Sequence, residues 1–285
     1  MMIPMKTKLD KFANYFHKKL KDYFDNKDMP LEFKKTIEYT PLAGGKRLRP
    51  YLIHLFSEEL EIEERTILPL ELAVEIFHSA SLIHDDLPAI DNDKLRRGKP
   101  SLHTVYGEGE ALLAGDYLML HANHLINSLD ADPDRIIELN KSWNKTAENV
   151  VLGEYIDIRY ENYDKYILDE IHKLKTGALF GFCFSSPFIF RGMFDKAKQY
   201  GEIGNNFGIC FQIMDDIKDV TGTSKILGKT PGKDLKLNKP TILDRLSLSE
   251  AIEYSNDLFK ETVQQIEYEP IREILDNLKA IIEKS

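Results

Sequence analysis

Ser81-Leu82-Ile83-His84-Asp85-Asp86-Leu87-Pro88-Ala89-Ile90-Asp91-Asn92-Asp93 sets four carboxylates, Asp85, Asp86, Asp91 and Asp93, within nine residues. Just before them Ala73, Ile76, Phe77, Ala80 and Ile83 recur at helical spacing. Leu72, Val74 and Leu82 fill the other faces, so this helix is apolar almost all round and belongs inside the protein. Carboxylates are thereby delivered to the end of a buried rod. Two unit charges about 4 Å apart repel by roughly 4 kcal/mol at an effective dielectric near 20, so Asp85 and Asp86 call for a cation or a proton.

Taken alone, an Asp cluster at a helix C-terminus is more often a solvated loop, and it opposes the helix dipole. A second run changes the balance. Phe211-Gln212-Ile213-Met214-Asp215-Asp216-Ile217-Lys218-Asp219 places Asp215, Asp216 and Asp219 in one sector of about 100° on a helix. Two acidic faces, each following an apolar helix, lead us to expect carboxylates that meet at one cavity and share divalent ions.

The rest of the composition narrows the class. At 285 residues the chain fits one large domain, residues 1–285, and no stretch reads as a linker. Apolar residues make up 42% and charged residues 30%, as in an ordinary globular protein. A net charge of −9 argues against nucleic-acid binding. The N-terminus lacks the apolar core of an export signal. Gly177 to Phe190 is the most apolar stretch but is too short to span a membrane, and it reads as a core helix. Cys183 and Cys210 lie in apolar helical context and read as buried, reduced thiols of a cytoplasmic protein.

Basic residues cluster against this acidic background: Lys46, Arg47 and Arg49 in one island, Arg96, Arg97 and Lys99 in another. The first follows Gly44-Gly45 and precedes Pro50, which is placed to open a helix from Tyr51 to Glu61. Cations at a helix N-terminus are repelled by its dipole unless an anion lies between them, so Lys46 and Arg49 read as anion ligands. Lys175 and Thr176 offer a cation and a hydroxyl suited to a phosphate, and Gly177 can bend the helix there. Residues 6–24, 111–129, 135–160 and two stretches within 249–284 carry helical patterning, the last pair interrupted near Pro270. Leu95 to Pro100 reads as a loop, and no alternating run appears, so the fold class is all-α. Gly222 to Thr230 superficially resembles a nucleotide-binding loop, but its glycine spacing and acidic flank exclude that.

Gly44-Gly45-Lys46-Arg47-Leu48-Arg49-Pro50, the Ser81 to Asp93 run, Leu95-Arg96-Arg97-Gly98-Lys99-Pro100, Lys175-Thr176-Gly177-Ala178-Leu179, and Gln212 with Asp215 to Asp219 together resemble the trans-prenyl diphosphate synthases. The likeness is strongest to the bacterial farnesyl diphosphate synthases and covers nearly the whole chain. It implies a single-domain helical bundle of the isoprenoid synthase type around a central apolar cavity. It also implies a homodimer with about three Mg²⁺ per site.

By the same resemblance, Asp85, Asp86, Asp91 and Asp215 hold the metal, with Asp216 and Asp219 in support. Arg96, Lys175, Thr176, Gln212, Lys229 and Lys239 grip an allylic diphosphate, and Lys46, Arg49, His78 and Arg97 hold isopentenyl diphosphate. Asp85, Asp91, Lys175 and Arg96 carry the ionisation step. The implied reaction is head-to-tail condensation giving farnesyl diphosphate. Ala80, five residues before Asp85, departs from an aromatic residue found there in many farnesyl synthases and favours geranylgeranyl diphosphate as the alternative product, with Phe77 as a possible floor. Glu154 and Lys218 are smaller departures. A terpene cyclase has no use for Lys46, Arg49 and Arg97, and a non-catalytic partner subunit has no use for both Asp runs.

Overall fold

The computed structural model describes residues 5–159, 167–221 and 241–284. Among these the chain is helical apart from loops and one minute hairpin, as the patterning requires. The elements are α1 (Met5–Asp25), α2 (Leu31–Tyr39), α3 (Leu48–Glu59), α4 (Glu64–Asp85), β1 (Leu95–Arg96), β2 (Lys99–Pro100), α5 (Leu102–Tyr106) and α6 (Glu108–Asn127). They continue as α7 (Pro133–Asp157), α8 (Ile167–Ile171), α9 (Ala178–Phe190), α10 (Phe194–Thr221), α11 (Leu248–Gln264) and α12 (Glu269–Lys284). A π-helical stretch, His172–Gly177, joins α8 to α9.

The chain divides into two compact units, one formed by Met1–His54 with Glu63–Asp130, the other by Leu55–Ile62 with Ala131–Ser285. In the first unit α4 packs along α6. Ile67, Leu70, Leu72, Val74, Ile76, Phe77 and Ile83 of α4 are all buried, each worth roughly 1.5–3 kcal/mol of transfer free energy. Among the described residues α4 is the one helix long and apolar enough to cross a membrane, and its burial marks it as a core helix.

In the second unit α9 and α10 form the central pair. Every side chain from Ala178 to Phe190 is buried, as expected for a core helix. Phe180 and Phe184 meet Phe207 of α10 at 5.5 and 5.4 Å, and Phe188 stacks on Tyr200 at 4.2 Å. Cys183 and Cys210 are buried in this core and form no disulfide.

Three local features differ from the sequence pattern. Helix α3 begins at Leu48 rather than Tyr51, since Pro50 needs no amide partner anywhere in a first turn. Leu95–Arg96 pairs antiparallel with Lys99–Pro100 around Arg97 and Gly98, both at positive φ, so the expected loop is a tight hairpin. Residues 172–177 take π geometry at the position where Gly177 was expected to relieve a helix. Lys229, Lys239 and the excluded nucleotide-like segment Gly222 to Thr230 lie outside the described residues.

Candidate active site

The first unit holds the first Asp run and both basic islands. Helix α4 ends at Asp85 and the chain folds back on itself: the Asp91 amide donates to the Asp85 carbonyl at 2.9 Å and the Asp93 amide to the Asp86 carbonyl at 3.2 Å. Asn92, at φ 50°, makes this reversal. The backbone of the run is thus tied in two pairs, Asp91 to Asp85 and Asp93 to Asp86. His84 anchors the end of the helix, its Nε2 lying 3.2 Å from the Leu112 carbonyl on α6.

Arg96 grips Asp86 through Nε, at 3.0 and 3.2 Å from the two carboxylate oxygens, and through Nη2, leaving Nη1 outside the fork. Asp93 lies 3.8 Å from the same Nη2. Burial works against the Arg96 charge, but the hydrogen bond to Asp86 together with the charges of Asp86, Asp85 and Asp93 outweighs it and holds the guanidinium above its ordinary value.

The other cations gather around Gly44-Gly45. Arg49 Nη1 lies 3.2 Å from His78 Nε2, which requires that nitrogen to be unprotonated and to accept. Burial first, then Arg49 and Arg97, push His78 well below its usual value, consistent with a neutral ring. Arg97 donates to the Gly44 carbonyl, and its guanidinium lies so close over Gly45 that a Cβ there would come within 2.8 Å of Cζ. Burial pulls Arg97 down to about 10, partly opposed by Glu75. Arg47, although part of the same island, turns inward: it is buried, pairs with Glu75 and donates to the Pro41 carbonyl at 2.6 Å. Lys46 beside it is exposed.

The second unit assembles the other set. The π stretch presents Lys175, which reaches Glu154 at 2.5 Å and Asp157 at 2.6 Å on α7. Thr176 donates to the Gln212 side-chain oxygen at 2.8 Å, and Gln212 in turn donates to Asp216 at 2.9 Å. The buried Asp216 also accepts from the Ile242 amide at 3.1 Å and lies 3.3 Å from His172 Nε2. Asp219 is buried and Asp215 partly so. Sequence reasoning missed Glu75 and His172. A lone Glu within the otherwise apolar run Ala73-Val74-Glu75-Ile76-Phe77 was the available signal for the first.

Among the described residues, no three or more His, Cys, Asp or Glu side chains cluster tightly enough to hold a metal by themselves. Magnesium commonly takes one or two carboxylates and fills its remaining positions with water and phosphate oxygens. The oxygen-only donors of the Asp85 loop fit such an ion.

Residues 30–278 match the polyprenyl synthetase family. Over 251 residues the chain is 39% identical to the large subunit 1 of the heterodimeric chloroplastic geranylgeranyl pyrophosphate synthase of Arabidopsis thaliana, covering 83% of this chain and 67% of that one. Over 242 residues it is 37% identical to the farnesyl diphosphate synthase of Geobacillus stearothermophilus, covering 82% of each. Its fold superposes on the geranyltranstransferase of Thermotoga maritima with a TM-score of 0.81 at 35% identity, over 95% of this chain and 97% of that one. A geranyltransferase of Helicobacter pylori, complexed with magnesium and isoprenyl diphosphate, gives 0.80 at 28% identity, over 100% and 98%. With this fold, these two acidic runs and these cation sets, the chain belongs to the polyprenyl synthetase family of prenyltransferases.

Proposed function

We propose that the protein condenses isopentenyl diphosphate with the allylic dimethylallyl and geranyl diphosphates, head to tail, to give farnesyl diphosphate. The observation that carries this reading is the gathering of Arg49, His78 and Arg97 at the Gly44-Gly45 turn, in addition to Arg96 at the Asp85 loop. An enzyme that merely ionised one diphosphate would need only one such set of cations.

In this reading Arg96, Lys175, Thr176 and Gln212 hold the allylic diphosphate, as do Lys229 and Lys239. The positive side chains stabilise the charge that grows on the leaving group as the carbon–oxygen bond breaks. Lys46, Arg49, His78 and Arg97 hold isopentenyl diphosphate so that its double bond attacks the allylic carbon. The departed diphosphate then takes the proton. Asp85, Asp86, Asp91 and Asp215 would hold Mg²⁺, which when bound neutralises diphosphate charge. The magnesium-bound Helicobacter pylori relative supports that choice of ion.

Ala80 is fully buried on α4 and Phe77 is 2% exposed. The small side chain at Ala80 favours geranylgeranyl diphosphate as a second reading of the product. A homodimer is supported by α6, where Leu113 and Leu120, seven residues apart on one face, are 61% and 75% exposed. The matched span crosses both units, which supports reading residues 1–285 as one functional domain.

The test is incubation with geranyl diphosphate and Mg²⁺, with and without isopentenyl diphosphate, followed by chromatography of the products. A C15 product that requires isopentenyl diphosphate is expected, and turnover that ignores it would sink the reading. A C20 product would select the second.

A further inference from the structure

We propose that Glu75 is the positioning residue of the isopentenyl diphosphate site, holding Arg97 against the Gly44-Gly45 turn while neutralising Arg47 beneath it. The inference rests on the function proposed above and adds a residue to it. Glu75 lies on α4, ten residues before Asp85, and its side chain is 3% exposed. A carboxylate so placed is costly unless cations face it closely. Two do. The same oxygen, Oε1, pairs with Arg47 Nη1 and lies 3.8 Å from Arg97 Nη2.

Those two arginines both donate to backbone carbonyls of residues 41–44. Arg47, at φ 53°, donates to the Pro41 carbonyl, and Arg97, at φ 54°, donates to the Gly44 carbonyl. Gly45, at φ 122°, leaves the space that the Arg97 guanidinium occupies. Arg47 is therefore committed inside the protein, whereas Arg97 is only part-buried. Arg47, Arg96 and Arg49 all act against the Arg97 charge, and Glu75 acts in its favour. Without the Glu75 charge, Arg47 and Arg97 would repel each other across the turn, and the guanidinium most directly tied to Gly44 would lose its place.

The expected signature is selective. Glu75→Gln should raise KM for isopentenyl diphosphate by about tenfold or more, the weight of one charge-assisted hydrogen bond, and change KM for geranyl diphosphate by less than about threefold. Glu75→Asp, which keeps the charge, should fall between wild type and Glu75→Gln. Because Glu75 acts through Arg97, adding Glu75→Gln to Arg97→Gln should change KM little further.

An unchanged KM for isopentenyl diphosphate in folded Glu75→Gln would overturn the proposal, as would an equal rise for both substrates, which marks general loosening. Should the buried unpaired Arg47 prevent Glu75→Gln from folding, Arg47→Gln/Glu75→Gln removes both charges. With Arg47 neutral no repulsion remains, so that double variant reads the loss of the Glu75–Arg97 pair alone: a selective rise, smaller than in Glu75→Gln, supports the proposal, and its absence overturns it. Wild-type protein that makes no product dependent on isopentenyl diphosphate would instead defeat the functional reading itself, so the two failures are told apart by the control.

Discussion

Adjacent carboxylates at the end of α10 are set apart by their surroundings. Asp216 is buried and has both oxygens committed, one to the Gln212 side chain and one to the Ile242 amide, with His172 alongside. Asn offers one acceptor where two are used, so Asp216→Asn should strand a buried donor and cost about 1–3 kcal/mol, read by thermal or denaturant unfolding. Asp215 is more exposed and belongs to the proposed metal set, so Asp215→Asn should stay within about 0.5 kcal/mol of wild type yet lose activity by about a hundredfold or more. Equal loss of stability in both variants would show that the two neighbours share one structural role.

A second residue-level expectation concerns pH. Burial, then Lys27 and His124, push His121 from 6.5 down to about 4, and Tyr23 and Tyr117 pack against the same ring. Its folded pKa is depressed, so between 6.5 and about 4 the unfolded chain binds more protons than the folded one. Stability contributed here is complete above pH 6.5 and is lost as pH falls toward 4. Denaturant midpoints measured across that window should decline on acidification, and His121→Gln should flatten the decline.

At the scale of elements, the π stretch is where backbone geometry serves the site most directly. A Cβ on Gly153 of α7 would come 2.4 Å from the Lys175 backbone nitrogen and 2.8 Å from its Cα, atoms that cannot rotate away. Gly153→Ala gains about 1 kcal/mol of helix propensity and should lose more than that to overpacking, about 1–3 kcal/mol. Since the atoms displaced carry Lys175, activity should fall further than stability alone explains, which a comparison of specific activity with folded fraction would reveal.

This contact also marks the limit of what the chain discloses in one dimension. Both Asp runs were legible because carboxylates beside long apolar helices break the pattern, and the all-α class followed from periodicity. The π geometry of residues 172–177 was not, because Gly177 signals relief without fixing its form. The β1–β2 hairpin has strands of two residues, too short to alternate. Glu75 sat in an apolar helix with its partner Arg47 28 residues away at a positive φ, a pairing no local pattern encodes. Lys175 is legible in the sequence as a basic residue, while its partners Glu154 and Asp157 come from a different helix.

For the molecule as a whole, each unit pairs carboxylates with cations of its own. Asp86 holds Arg96, Glu75 holds Arg47, and Glu154 with Asp157 hold Lys175. These pairs offset charge locally in a chain of net charge −9, and in the proposed function the Asp85 loop receives a divalent ion accompanied by a diphosphate. A ligand that binds only the folded state adds RT ln(1 + [L]/Kd), about 2.7 kcal/mol at a hundred times Kd. For a chain of this size that corresponds to a rise of roughly 5 °C in Tm. Mg²⁺ with inorganic pyrophosphate should produce a shift of that order, and either component alone a smaller one, because the ion needs phosphate oxygens to complete its coordination and the anion needs its charge offset. Asp85→Ala should melt near wild type without ligand and lose most of the shift with it. An Asp85→Ala protein that is still stabilised in full would remove the Asp85 loop from the diphosphate site, whatever the chain's family.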